Sequence, residues 1–297
     1  MQTTEIQLRD PFILRVDDEQ LYYLYGTTDA NPWTGKGQGF QTYRSHDLNE
    51  WEGPFTVFTP PLGFWADQQF WAPEVHPYQG AYYMLASFKA DNRSRGVHIL
   101  RAETPLGPFI PISEEPITPL EWDCLDGTLY IDEDQIPWFV FSHEWTQISD
   151  GAMCCMPLTM DLREATAPPQ IMFYASQSGW SVPNTGDVVI QSGENYVTDG
   201  PWLHRTQNGT LVMLWSSYST TGYTIGLARS ESGTIQGPWL HDPQPLFAQD
   251  GGHGMLFYTW QNELMLTIHQ PNTTMYERPC FFLIEDLGDT LVLKHRV

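Results

Sequence analysis

Three aspartates stand at matching points of a repeating pattern: Asp10 in RDPFIL, Asp126 in DGTLYI and Asp199 in DGPWLH. The pattern has two further members, Ala72 in APEVHP and His253 in HGMLFY. The second residue of each is Pro or Gly, and an apolar strand-like run follows. One Asp before Gly or Pro could merely cap the start of a strand. Three at one register are harder to explain that way, because carboxylates brought together raise one another's pKa and cost stability. The chemistry that most needs such a cluster is glycoside hydrolysis. One carboxylate acts as base, one carboxylic acid protonates the leaving oxygen, and a third group keeps that acid protonated near neutral pH.

The elements that would carry these residues repeat as well. Five apolar pairs follow the five starting points, each interrupted by a short polar turn: Asp-Asp-Glu-Gln, Tyr-Gln-Gly, Asp-Glu-Asp-Gln, Gln-Asn-Gly and Gln-Asn-Glu. They read as five hairpins, beginning 62, 54, 73 and 54 residues apart. Three are followed by a Gly-Pro-aromatic motif, at Gly53, Gly107 and Gly237, expected to turn the chain toward the next repeat. Short strands repeating at this interval predict an all-β, five-bladed β-propeller, a single domain over residues 1–297. A β-sandwich is the competing architecture, but it would not repeat its hairpins at a regular interval. In a propeller, equivalent positions on the five inner strands ring one end of the central channel, so Asp10, Asp126, Asp199 and His253 would meet there.

Composition narrows the partners. With 14 Lys and Arg against 36 Asp and Glu, the formal charge is −22, which argues against nucleic acid or an anionic membrane. A neutral small oligosaccharide or glycoside suits this surface better. The opening MQTTEIQLRD has no basic and apolar leader, and no apolar run reaches membrane-spanning length, so the chain as given is expected in the cytoplasm, with imported oligosaccharides as substrates. Four cysteines without metal-ligand spacing fit reduced, packed thiols. The oligomeric state is not readable.

The order and spacing of RDPF, WAPEVH, the Asp opening the third repeat, DGPWLHR and GGHGM resemble glycoside hydrolase family 43 over essentially the whole chain. The resemblance implies a five-bladed propeller that cleaves arabinose- or xylose-containing glycans with inversion. It implies Asp10 as the general base and Asp126 as the carboxylate that orients the acid and raises its pKa. His253 would lie near the axis, where some members hold calcium or ordered water; no cofactor is otherwise implied. The acid position, usually Glu in that family, is here Asp199, one methylene shorter and intrinsically slightly more acidic.

Glu74 and His76, on the strand beyond Ala72, are expected to face the pocket and bind substrate. Phe70, Trp71, Trp145 and Trp202, with Trp65, are candidates for stacking on sugar faces, and His143 with Glu144 for lining the pocket. The reading is an inverting glycosidase that releases terminal α-L-arabinofuranosyl or β-D-xylosyl residues, with the base and acid roughly 6.5 to 9.5 Å apart. Its rivals are a sugar-binding propeller with weakened catalysis and a related propeller glycosidase or phosphorylase. A sucrose- or fructan-cleaving relative would need an Asn-Asp-Pro-Asn-like strand, and a phosphorylase a cationic phosphate site; the first is missing and Lys and Arg are scarce.

Overall fold

The computed structural model describes residues 1–184 and 194–297. Among them, twenty strands form five antiparallel sheets, each built from four strands consecutive in sequence. Blade 1 comprises β1 (Arg9–Val16), β2 (Leu21–Thr27), β3 (Phe40–Ser45) and β4 (Glu52–Phe58). Blade 2 comprises β5 (Gln68–Tyr78), β6 (Ala81–Ala90), β7 (Arg93–Ala102) and β8 (Ile110–Pro111). Blade 3 comprises β9 (Cys124–Ile131), β10 (Pro137–His143), β11 (Ala152–Pro157) and β12 (Gln170–Tyr174), with a four-residue helix, α1 (Trp145–Ile148), after β10. Blade 4 comprises β13 (Asp199–Arg205), β14 (Leu211–Ser219), β15 (Gly222–Ser230) and β16 (Trp239–His241). Blade 5 comprises β17 (Gly252–Tyr258), β18 (Leu264–Gln270), β19 (Arg278–Asp286) and β20 (Leu291–Arg296). The inner strands β1, β5, β9, β13 and β17 neighbour one another in a closed ring. The fold is a five-bladed β-propeller.

The five predicted hairpins are the inner two strands of each blade. Their turns need left-handed backbone, and Gln20, Gln79 with Gly80, Gln135, Gly209 and Asn262 supply it at positive φ. A blade is too thin to have an interior of its own, so the core lies between blades. One apolar layer joins blades 1, 2 and 5, and three more fill the spaces between blades 2 and 3, 3 and 4, and 4 and 5. All four cysteines are free and buried in these layers, and burial pushes Cys154 and Cys155 up to about 12. The Gly-Pro-aromatic motifs differ from expectation: they belong to the outermost strand of their own blade instead of turning to the next, the first lying within β4 and the other two leading into β8 and β16. No helix among the described residues is long and apolar enough to cross a membrane.

Blade 5 meets blade 1 through the N-terminal segment. Leu8 N–H donates to the Glu277 carbonyl (3.3 Å), Arg278 Nε to the Thr4 carbonyl (2.9 Å), and the Arg9 guanidinium pairs with the fully buried Glu277 carboxylate at 2.8 Å. Trp51 stacks on Phe281 nearby.

Candidate active site

Each inner strand is bulged near its start, a device that adds one residue and re-aims its side chain. The bulge holds a left-handed residue in every blade: Asp10 (φ 52°), Ala72 (47°), Asp126 (56°), Gly200 (50°) and His253 (48°). These five form the ring at the axis. In the fourth blade the ring residue is therefore Gly200, and Asp199 stands one place earlier. Cross-strand pairing explains the difference from the sequence alignment. Arg9, Trp71, Leu125, Asp199 and Gly252 are equivalent, since they pair with Thr27, Ser87, Ser142, Ser216 and His269 on the second strands.

The same second-strand residues fasten the ring. Ala72 N–H donates to Thr27 Oγ1 (2.8 Å), Asp126 N–H to Ser87 Oγ (2.9 Å), His253 N–H to Ser216 Oγ (2.9 Å) and Asp10 N–H to His269 Nδ1 (3.1 Å). Each bond reaches back to the preceding blade. For blade 4 the corresponding hydroxyl, that of Ser142 on blade 3, turns instead to the Thr198 carbonyl at 2.5 Å. Gly200 N–H is thereby released, and it donates to Asp126 Oδ2 at 3.0 Å.

Four ionisable groups meet at this end of the channel. Asp10 Oδ2 accepts the Thr27 hydroxyl proton at 2.7 Å, and since that hydroxyl accepts the Ala72 N–H, its donor direction is fixed. His253 Nδ1 lies between Asp10 Oδ1 at 3.3 Å and Asp126 Oδ2 at 3.4 Å. Burial opposes charge on Asp10, but the facing His253, the Arg9 guanidinium and the Thr27 hydrogen bond outweigh it and hold the carboxyl below its ordinary range. His269, at 3.5 Å from Asp10 Oδ1, adds no charge. Its Nδ1 accepts a backbone N–H, its Nε2 faces Asn272 Oδ1 at 3.2 Å, and burial with Arg9 nearby pushes it down to about 3.

Asp126 and Asp199 move the other way. Burial, then the charge of Asp10, raises Asp126 well above the carboxylate range. Burial, then Asp126, raises Asp199 to about 8, against the hydrogen bond that its Oδ2 accepts from the Tyr223 hydroxyl at 2.8 Å. Near neutral pH the cavity thus presents an ionised Asp10 and a protonated Asp199.

These groups line a cavity of about 550 Å³, together with Trp71, Glu144, Trp145 and His253 among the residues expected from sequence. Its wall holds two guanidiniums, each stacked on a Trp and answered by a carboxylate. Arg95 lies 3.9 Å over the Trp71 ring and donates to Glu144 Oε2 at 3.1 Å. Arg9 sits beneath Trp33, paired with Glu277 and with Asn272 Oδ1 at 2.9 Å. Trp33 meets Trp71 edge to face, and Trp71 Nε1 donates to the Pro32 carbonyl at 2.7 Å. Arg9, adjacent to Asp10, could have been found from the RDPF motif. Trp33 and Asn272 come from loops, Arg95 and Tyr223 from the third strands β7 and β15, and Tyr218 from the far end of β14.

Six expected substrate contacts lie outside this lining. Phe70 is buried among Phe40, Phe58, Phe64 and Phe88. Glu74 does share its side of β5 with the ring, but two residues along a strand carry it about 6 to 7 Å down the channel; there it contacts His76 Nε2 at 2.9 Å. His76 lies deeper again, packed between Phe12 and Trp202, which places Trp202 in the channel core as well. His143 stacks on Trp122 with ring centroids 4.2 Å apart and contacts Gln147. Trp65, under Arg93, contacts His98.

No group of three or more His, Cys, Asp or Glu among the described residues is placed to hold a metal ion. An imidazole with Nδ1 between two carboxylates is also a poor start for calcium, which takes six to eight oxygen ligands. An ionised carboxylate and a protonated one across a cavity can together activate water and protonate a leaving oxygen.

The family model described as Glycosyl hydrolases family 43 matches residues 3–283. The chain is 23% identical over 260 residues to extracellular endo-α-(1→5)-L-arabinanase 1 of Bacillus subtilis (strain 168), covering 82% of this chain and 71% of that protein. Among solved structures it is similar to an endo-arabinase from Bacteroides thetaiotaomicron VPI-5482, with 38% identity, a TM-score of 0.88 and 96% of each chain covered. It shares its fold with a thermostable family-43 glycoside hydrolase at 21% identity and a TM-score of 0.78, covering 97% of this chain and 93% of that one.

Proposed function

The chain belongs to family 43 of the glycosyl hydrolases, and from that premise we propose that it hydrolyses α-L-arabinofuranosyl linkages of arabinan-type oligosaccharides with inversion. The observation that carries this reading is the opposite ionisation of Asp10 and Asp199 on one cavity. Asp10 takes a proton from water as the water oxygen bonds to the anomeric carbon. Asp199 gives its proton to the departing oxygen as the glycosidic bond breaks. Asp126, held by Gly200 N–H and facing His253, transfers no proton; its place beside Asp199 favours the protonated acid.

The names of the two arabinan-cleaving relatives support arabinose over xylose and cleavage within a chain over release of a terminal residue. A cavity of about 550 Å³ is in the range that encloses ligands of several rings. The test is digestion of linear α-1,5-arabinan followed by proton NMR from the first turnover. Inversion predicts β-configured hemiacetal as the first product, and Asp10→Asn should reduce the rate at least a hundredfold. First-formed α-product, or an unimpaired Asp10→Asn, would overturn the assignment.

A further inference from the structure

We propose that Tyr223 is a positioning residue that decides which oxygen of Asp199 carries the acid proton: its hydroxyl donates to Oδ2 and leaves the proton to Oδ1. The proposal rests on the reading of Asp199 as the acid.

The Tyr223 ring is buried and packed on by several neighbours. Its slot exists because residue 252 is glycine: a Cβ there would stand 2.5 Å from the ring. His269, paired with Gly252 across β17 and β18, stacks on the ring at 5.6 Å between centroids, and Tyr218 is tilted against it at 5.4 Å. From this fixed position the hydroxyl reaches Asp199 Oδ2 at 2.8 Å. Among the described residues it is the one group that hydrogen-bonds this carboxyl, so Oδ1 stays unpaired on a cavity-lining side chain.

Two proton arrangements satisfy that contact. Tyr223 donates to Oδ2 with the acid proton on Oδ1, or Oδ2 carries the proton and donates to the phenol oxygen. The second leaves the phenolic hydrogen without an acceptor in a buried slot, which is unfavourable. Burial and the adjacent Asp199 also keep Tyr223 protonated, well above its ordinary pKa. The first arrangement therefore holds.

Its consequence appears along the reaction. The Oδ1 proton passes to the glycosidic oxygen, the electron pair of the breaking C–O bond stays on that oxygen, and Asp199 becomes a carboxylate. The Tyr223 hydrogen bond strengthens as that charge grows, so it stabilises the transition state more than the ground state. Of the other groups that face Asp199, Asp126 on β9 and Asp10 on β1 oppose the charge, while His253 on β17 favours it, as Tyr223 does. Tyr218 on β14 stands behind.

The experiment compares Tyr223→Phe, which keeps the ring and its slot, with the wild type. The first readout needs no substrate: infrared titration of the buried carboxylic-acid carbonyl band, assigned to Asp199 by its loss in Asp199→Asn. Loss of a donor to the charged form should move its midpoint up. The second is kcat/KM on α-1,5-arabinotetraose and on the 4-nitrophenyl glycoside of arabinobiose. The tetraose, with a poor leaving group, should lose roughly ten- to a hundredfold and the aryl glycoside much less. If Tyr223→Phe does not fold, 3,5-difluorotyrosine at 223, a stronger donor of nearly the same shape, should move the midpoint down. An unmoved midpoint, or equal losses on both substrates, overturns the proposal. Asp199→Asn that cleaves the tetraose at the wild-type rate would instead overturn the acid assignment beneath it.

Discussion

The junctions between blades differ in one place. Where blades 1, 2, 3 and 5 each meet the blade before them, the ring N–H donates to a side chain on that blade's second strand: His269, Thr27, Ser87 or Ser216. Where blade 4 meets blade 3, Ser142 is turned to Thr198 and the ring N–H of Gly200 holds the Asp126 carboxylate. Every group keeps a partner in both arrangements, so the exception leaves no buried polar group unsatisfied. A donor that fastens the fold at four junctions becomes, at the remaining one, a ligand of a site carboxylate. Symmetry supplied the ring, and one departure from symmetry turned a ring N–H onto the Asp126 carboxyl.

Gly200→Ala should break this exception most severely. Left-handed backbone alone does not require glycine here, because Asp10, Ala72, Asp126 and His253 share it and carry Cβ atoms. The obstacle is the His253 ring, 2.9 Å from a Cβ at position 200. Displacing that imidazole from Asp10 and Asp126 should lower kcat/KM on arabinan by about a hundredfold or more, with a stability loss of about 1–3 kcal/mol. A near-normal rate would show that the packing yields and that the junction is not special.

The exceptional junction should also lose stability as pH rises. Asp199, raised to about 8, keeps in the native state a proton that the unfolded chain releases near pH 4. Its contribution to stability therefore falls as pH rises from about 4 to about 8. Asp199→Asn removes that dependence, so its melting temperature should exceed the wild type's by a margin that opens across this window and is flat above it. A margin constant with pH would contradict the raised acid.

Serine substitutions sharpen the contrast at smaller scale. Ser87→Ala and Ser216→Ala orphan the N–H of Asp126 and of His253, and each should cost about 1–3 kcal/mol in urea denaturation. Ser142→Ala orphans no N–H, only the Thr198 carbonyl, a milder loss that should cost about 0.5–1.5 kcal/mol. Equal losses at the three serines would erase the distinction.

The propeller was legible because its hairpins announce themselves. Each inner turn needs a left-handed residue, and the apolar runs on either side repeat with it. Asp10, Asp126 and His253 could be placed on the ring for the same reason. The error at Asp199 has a physical origin: DGPW looks like DGTL, yet a bulge is located by pairing across the sheet, and only the partner strand distinguishes Asp199 opposite Ser216 from Leu125 opposite Ser142. Depth along the channel was equally hidden. Alternation gives the side of the strand on which Glu74 and His76 lie, but not how far below the cavity floor. Tyr223 was invisible because its role depends on Gly252, on another blade, leaving a slot for its ring.

Each sheet keeps its four strands to itself, so blade 5 and blade 1 exchange no strand, and their seam is a clasp of single bonds, stacked rings and a shared apolar layer. Asp10 is on one side of that clasp, and His253 and His269 are on the other. A ring sprung open there would keep five intact sheets while separating the base from both imidazoles. Under rising denaturant, turnover should therefore stop before the strand signal is lost, making catalysis the more sensitive gauge of whether the ring is closed.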